Sequence, residues 1–152
     1  MIGVRIQTEA IDVAAELALV EQPGAGAVAS FTGLVRGDDG VTVLELEHYP
    51  GATEAALHAL AVQATARWGL LAAHIVHRVG RMVPGDRVVF VATAAAHRGA
   101  ALDACAFLID RLKTDAPFWK REERGDDVRW VELRTGDAEA AARWKTGGEG
   151  CA

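Results

Sequence analysis

Three short clusters place cationic side chains where the chain changes direction, and cations held there can bind and polarise anionic groups. The first is Phe31-Thr32-Gly33-Leu34-Val35-Arg36, a hydrophobic run that delivers an arginine into the turn Arg36-Gly37-Asp38-Asp39-Gly40. A guanidinium suits bidentate binding of phosphate or carboxylate. The second is His97-Arg98-Gly99, between an apolar run and a helical one. Backbone N–H groups at a helix start favour an anion, and the two side chains add donors. The third runs from Lys113 to Glu122 and is divided by Pro117. In the extended segment beyond Pro117, Phe118, Lys120 and Glu122 fall to one side, Trp119 and Arg121 to the other. Lys113 and Lys120 can therefore converge from different elements. A lysine beside other cations has its charged form disfavoured and can serve as base or nucleophile. Taken singly, each cluster also fits a solvated strand end or a helix cap.

Other chemistries find little support. His48, His58, His74 and His77 show no tight metal-ligand spacing, and Cys105 and Cys151 form no C-x-x-C pair. Neither a metal nor a cofactor is expected. The chain has no phosphate loop of the G-x-x-x-x-G-K-[ST] type and no G-x-G-x-x-G fingerprint. Ser30 is its only serine and sits in no nucleophile elbow.

The elements that must position these clusters alternate between helix and strand. Glu9 to Val20 has a helical apolar face with Thr8 as a candidate N-cap. Ala27 to Val35 and Val41 to Tyr49 read as strands flanking the Arg36–Gly40 turn. Thr53 to Trp68 is a strong amphipathic helix closed by Gly69. Strands over Ala73 to Val79 and Arg87 to Ala94 flank Pro84-Gly85-Asp86. A third helix covers Ala100 to Lys113, and Pro117 prevents it from running on. Phe118 to Glu122 and Arg129 to Leu133 read as strands around Gly125-Asp126-Asp127, and Asp137 to Trp144 as a short last helix. The tight turns imply an α/β or α+β domain whose sheet is mixed or antiparallel. Residues 1–136 are expected to form the domain and 137–152 a short helix with a loose tail.

Composition narrows the class. The 152 residues allow one domain with a real core, and 51% hydrophobic content argues against disorder. The net charge of −5 disfavours a nucleic-acid binder driven by bulk charge. The apolar runs are too short to span a bilayer. Two scattered cysteines and no leader sequence suggest a soluble protein of the cytoplasm.

In order and spacing the motifs resemble one family. Phe31-x-Gly33-x-Val35-Arg36 is followed by Leu46-Glu47-His48-Tyr49, Arg67-Trp68-Gly69, His77-Arg78-Val79-Gly80, Pro84-Gly85-Asp86 and His97-Arg98. The series closes with Ile109-Asp110-Arg111-Leu112-Lys113, Ala116-Pro117-Phe118-Trp119-Lys120-Arg121-Glu122 and Trp130-Val131-Glu132. Together they resemble the large, catalytic subunit of molybdopterin synthase, from about Val4 to Arg134.

The resemblance implies an α/β-hammerhead fold with an added antiparallel β subdomain. It implies a sulfurtransferase of molybdenum cofactor biosynthesis that converts cyclic pyranopterin monophosphate to the molybdopterin dithiolene. The sulfur would arrive as a thiocarboxylate on the C-terminal Gly-Gly of a small ubiquitin-like partner. A homodimer of large subunits, with a small subunit at each end, is implied as well. Carried over by position, Lys113 and Lys120 match the active-site lysines. Leu34, Val35, Arg36, His97, Arg98, Arg121 and Glu122 match substrate-binding or flanking positions. Arg134 matches an arginine from the neighbouring large subunit. The departures are Leu102, where a larger aromatic is expected, and a tail after Arg134 with little to match. The alternative is a non-catalytic scaffold that binds a Gly-Gly tail or a phosphopterin.

Overall fold

In the computed structural model, which describes residues 1–130 together with 141, 142 and 144, the chain forms two four-stranded sheets. The first sets β1 (Ile2–Gln7), β4 (Ala72–Arg78), β6 (Arg87–Ala95) and β2 (Ala27–Leu34) side by side in that order. β1 runs parallel to β4, and the other pairs are antiparallel. β4 and most of β6 are buried. Their near-continuous apolar sequence is what a strand covered on both faces requires.

Helices supply that cover. α2 (Ala52–Trp68) and α3 (Arg98–Asp115) pack on one face, where Leu57, Leu60 and Leu108 meet Ile75 and Val91. α1 (Val13–Val20) lies on the other face, where Ile11 and Val20 meet Val76 and Phe90. The second sheet joins β5 (Gly80–Met82), β3 (Val43–His48), β7 (Phe118–Arg124) and β8 (Asp127–Trp130), all antiparallel. A third apolar cluster of Val35, Leu44, Leu46, Val79 and Met82 lies where the sheets meet. The fold is thus α+β: a mixed, helix-covered sheet with a separate antiparallel one, as expected.

Several details differ from the sequence reading. β1 and β5 were not among the expected strands. α1 begins at Val13, not Glu9, because Asp12 rather than Thr8 caps it, its carboxylate accepting from the N–H of Ala15 at 3.1 Å. α3 is longer at both ends than expected, and His97 is its N-cap residue in extended conformation. The expected last helix and tail lie outside the described residues, apart from Ala141, Ala142 and Trp144. Trp144 packs edge-on against Trp68 and Phe107 and donates from its indole to Asp110 at 2.8 Å.

Candidate active site

The site starts where β2 ends. A Cβ on Gly33 would stand 2.7 Å from Cγ1 of Val89, so only glycine lets β2 lie this close to β6. Beyond it, the N–H of Val35 donates to Asp86 at 2.8 Å and the N–H of Gly85 donates to Val35 at 2.9 Å. These bonds fix the Pro84-Gly85-Asp86 turn against the strand end. Val35 is buried there, while Leu34 and Arg36 are exposed. The following turn contains Asp39, with φ of +63°, a conformation that Asp tolerates better than most residues. Arg124 pins it from β7, donating through Nε to the Asp39 carbonyl at 2.9 Å.

A cavity of about 820 Å³ lies between this turn, the C-terminal end of α3 and the inner face of β7. Leu34, Val35 and Arg36 line one wall. Lys113 enters from the last turn of α3, and Lys120 and Glu122 from β7. Pro117 makes this convergence possible. It stops α3, and its carbonyl is held by the buried hydroxyl of Thr53 at 2.7 Å, at the start of α2. β7 then pairs with β3, Lys120 opposite Leu46.

Four cations, Arg36, Lys113, Lys120 and Arg124, line the cavity together with Asp38, Asp39 and Glu122. Arg36 makes only a loose pair with Asp38, at 3.8 Å with both side chains more than half exposed. Such a pair is weak and leaves a guanidinium ready for an anion. Glu122 is nearly buried and is matched by Arg124 at 2.9 Å. His77 also lines the cavity. Burial holds its pKa down to about 4 against a hydrogen bond to the carbonyl of Arg78, and Lys113, Lys120 and His48 lower it further. The imidazole is therefore neutral at physiological pH. The sequence reading did not single it out. The available signal was a histidine inside an otherwise apolar strand, where a polar group needs a partner.

The remaining expected residues do not meet in this cavity. Arg121 projects from the opposite face of β7, beside Trp119 and Glu47, and donates to Glu45 at 2.7 Å. His97 and Arg98 are exposed at the start of α3. Lys113 lies fifteen helical steps beyond Arg98, about 22 Å at 1.5 Å per residue. Arg134 lies outside the described residues. Among the described residues no group of three or more His, Cys, Asp or Glu could hold a metal ion. Cys105 is a free, buried thiol whose pKa burial pushes up to about 11.

Two lysines from separate elements and an arginine thus line one cavity of an α+β protein, an arrangement whose chemistry suits anionic ligands. The family model described as MoaE protein matches residues 6–115, and the chain belongs to that family. The molybdopterin synthase catalytic subunit of Pseudomonas aeruginosa is 49% identical over 148 residues, covering 94% of this chain and 99% of its own. Among solved structures, the molybdopterin biosynthesis MoaE protein from Burkholderia ambifaria is 50% identical, with a TM-score of 0.84 over 95% of this chain and 99% of its own. The structure of molybdopterin synthase from Staphylococcus aureus is 32% identical, with a TM-score of 0.79 over 84% of this chain and 95% of its own.

Proposed function

We propose that this chain is the catalytic subunit of a molybdopterin synthase. It takes sulfur from the C-terminal thiocarboxylate of a small ubiquitin-like subunit and inserts it into cyclic pyranopterin monophosphate. The observation that carries this reading is the meeting of Arg36, Lys113 and Lys120 in one cavity. The pterin brings a phosphate and the partner tail brings a thiocarboxylate, so cations are needed for both. Once sulfur has left, water completes the tail as a carboxylate. The thiol of Cys105 takes no part, since it is buried and protonated. Lys113 contacts the tail carbonyl and stabilises the charge that develops there. Lys120, on the facing strand, holds the pterin and assists proton transfer. Glu122 orders Arg124 rather than meeting substrate directly.

His97 and Arg98 are too far from Lys113 to serve the same cavity. In this reading they reach the cavity of a second copy in a homodimer, as does Arg134. Among the described residues no helix is long and apolar enough to cross a membrane. We place the reaction in the cytoplasm, consistent with a free thiol at Cys105.

The test is reconstitution from purified chain, thiocarboxylated small subunit and cyclic pyranopterin monophosphate. Molybdopterin formation that disappears on Lys113→Ala or Lys120→Ala supports the reading. No product, despite measured binding of the partner tail, would leave a scaffold that docks a Gly-Gly end. Mixing inactive Lys113→Ala with inactive Arg98→Ala should restore some activity if the site is shared between copies.

A further inference from the structure

We propose that His77 contacts the substrate, its Nε2 accepting a hydrogen bond from an N–H group of the pterin ring. The inference rests on the synthase reading and adds a residue to that site. Nδ1 of His77 lies 3.0 Å from the carbonyl oxygen of Arg78. A carbonyl only accepts, so Nδ1 carries the hydrogen and Nε2 bears the lone pair. The ring cannot easily turn, because it is buried and stacks on Phe118 with centroids 4.1 Å apart and planes 30° apart. Both rings line the cavity.

Among the described residues nothing donates to Nε2. The ring lines the cavity, so an Nε2 left open there is available to a donor from a ligand or from water. His74, the other histidine of β4, shows the contrast. It lies on the α1 side of the sheet, where its Nε2 meets the buried carboxylate of Glu16 at 3.1 Å. His77 has no such carboxylate. The groups facing it, Lys113, Lys120 and His48, all disfavour its protonation.

The chemistry of the cavity explains the need. Arg36, Lys113 and Lys120 are donors and suit the anionic parts of the ligands. A pterin ring also presents amide and amine N–H groups, which cations cannot satisfy. Glu122 is matched by Arg124, and Asp38 and Asp39 belong to the turn beyond Arg36, so His77 supplies a neutral acceptor beside Phe118.

The experiment is calorimetric titration of cyclic pyranopterin monophosphate into the full chain without the small subunit, followed by steady-state kinetics of the reconstituted synthase. His77→Phe keeps ring and packing but removes the acceptor. It should weaken pterin binding about tenfold, the scale of one neutral hydrogen bond. KM for the pterin should rise in step while kcat changes less. His77→Gln, whose Oε1 can stand near the place of Nε2, should recover most of the affinity. Unchanged affinity in His77→Phe would overturn the inference, as would a His77→Gln variant no better than His77→Phe. If His77→Phe melts below the assay temperature, His77→Met carries the same comparison. A wild-type chain that binds no pterin would overturn the synthase reading itself.

Discussion

The hydroxyl of Thr53 donates to the carbonyl of Pro117 at 2.7 Å and accepts from the backbone N–H of Tyr49 at 2.9 Å. Thr53 is fully buried, so its hydroxyl depends on these two partners. Through them the start of α2 fixes the point at which the chain passes from the helix of Lys113 to the strand of Lys120. Thr53→Val keeps the shape and removes the hydroxyl. It removes both hydrogen bonds, and should lower unfolding free energy by about 1–3 kcal/mol. Chemical denaturation checks this. Turnover of the reconstituted synthase should fall several-fold as well, since small misplacements of reacting groups are costly. A variant less stable but fully active would show that this tie does not position the lysines.

Lys120 and Arg121 are neighbours with opposite outlooks, and this separates two residues that the sequence places in one site. Arg121 pairs with Glu45 on the outer face of β7, whereas Arg36 opens into the cavity. Arg36→Ala should raise KM for the phosphorylated pterin roughly tenfold or more, as expected for losing a charge-assisted hydrogen bond. Arg121→Ala should leave KM and turnover near those of the wild type. If Arg121→Ala proved as damaging as Arg36→Ala, the outer face of β7 would have to be part of the site.

How far the sequence could reach follows from local chemistry. The alternation of Phe118, Lys120 and Glu122 against Trp119 and Arg121 needed only the twofold period of a strand, and the cavity lies on the first set. α2 was legible from its apolar spacing, and Gly69 closes it in the left-handed conformation as expected. β1 escaped because six residues with Gly3 and Arg5 among them give a short signal, although Ile2, Val4 and Ile6 alternate onto the core. The start of α1 differs because Asp12, one turn beyond Thr8, is also a residue type that caps helices, and burial of Ile11 accompanies the later start. The separation of His97 and Arg98 from Lys113 was hidden for another reason. Motifs show which residues accompany one another, whereas the length of α3 decides how far apart they stand.

Cys105 offers a check that sulfur does not pass through the thiol of α3. Its thiol is buried in α3, with a pKa pushed up to about 11 by that burial. A thiol so placed is a poor nucleophile at neutral pH. Iodoacetamide should therefore leave Cys105 unmodified in the folded protein and label it after denaturation, read by mass spectrometry of the peptide that carries it. Cys105→Ala should retain turnover, with a modest loss of stability from the small void. Loss of activity without loss of folding would give this thiol a part in the transfer.

His77 should also give acid sensitivity a definite origin. Its pKa in the fold is about 4, against 6.5 when unperturbed, because burial comes first and Lys113, Lys120 and His48 add to it. Above pH 6.5 the imidazole is neutral both folded and unfolded, and its contribution is complete. As pH falls from 6.5 toward 4, the unfolded chain binds a proton that the folded chain refuses, so stability is lost across that window. The gap corresponds to about 3 kcal/mol. His74 is shifted the same way, by burial, with Glu16 opposing and Arg5 adding to the shift. Carboxylates paired in the fold contribute acid sensitivity too, so the test is a difference. Denaturation of wild type and His77→Phe at intervals between pH 7.5 and 4 should give curves that converge as pH falls, the variant losing less. Parallel curves would mean that His77 takes up its proton alike in the folded and the unfolded chain, so that neither burial nor the neighbouring cations hold its pKa down.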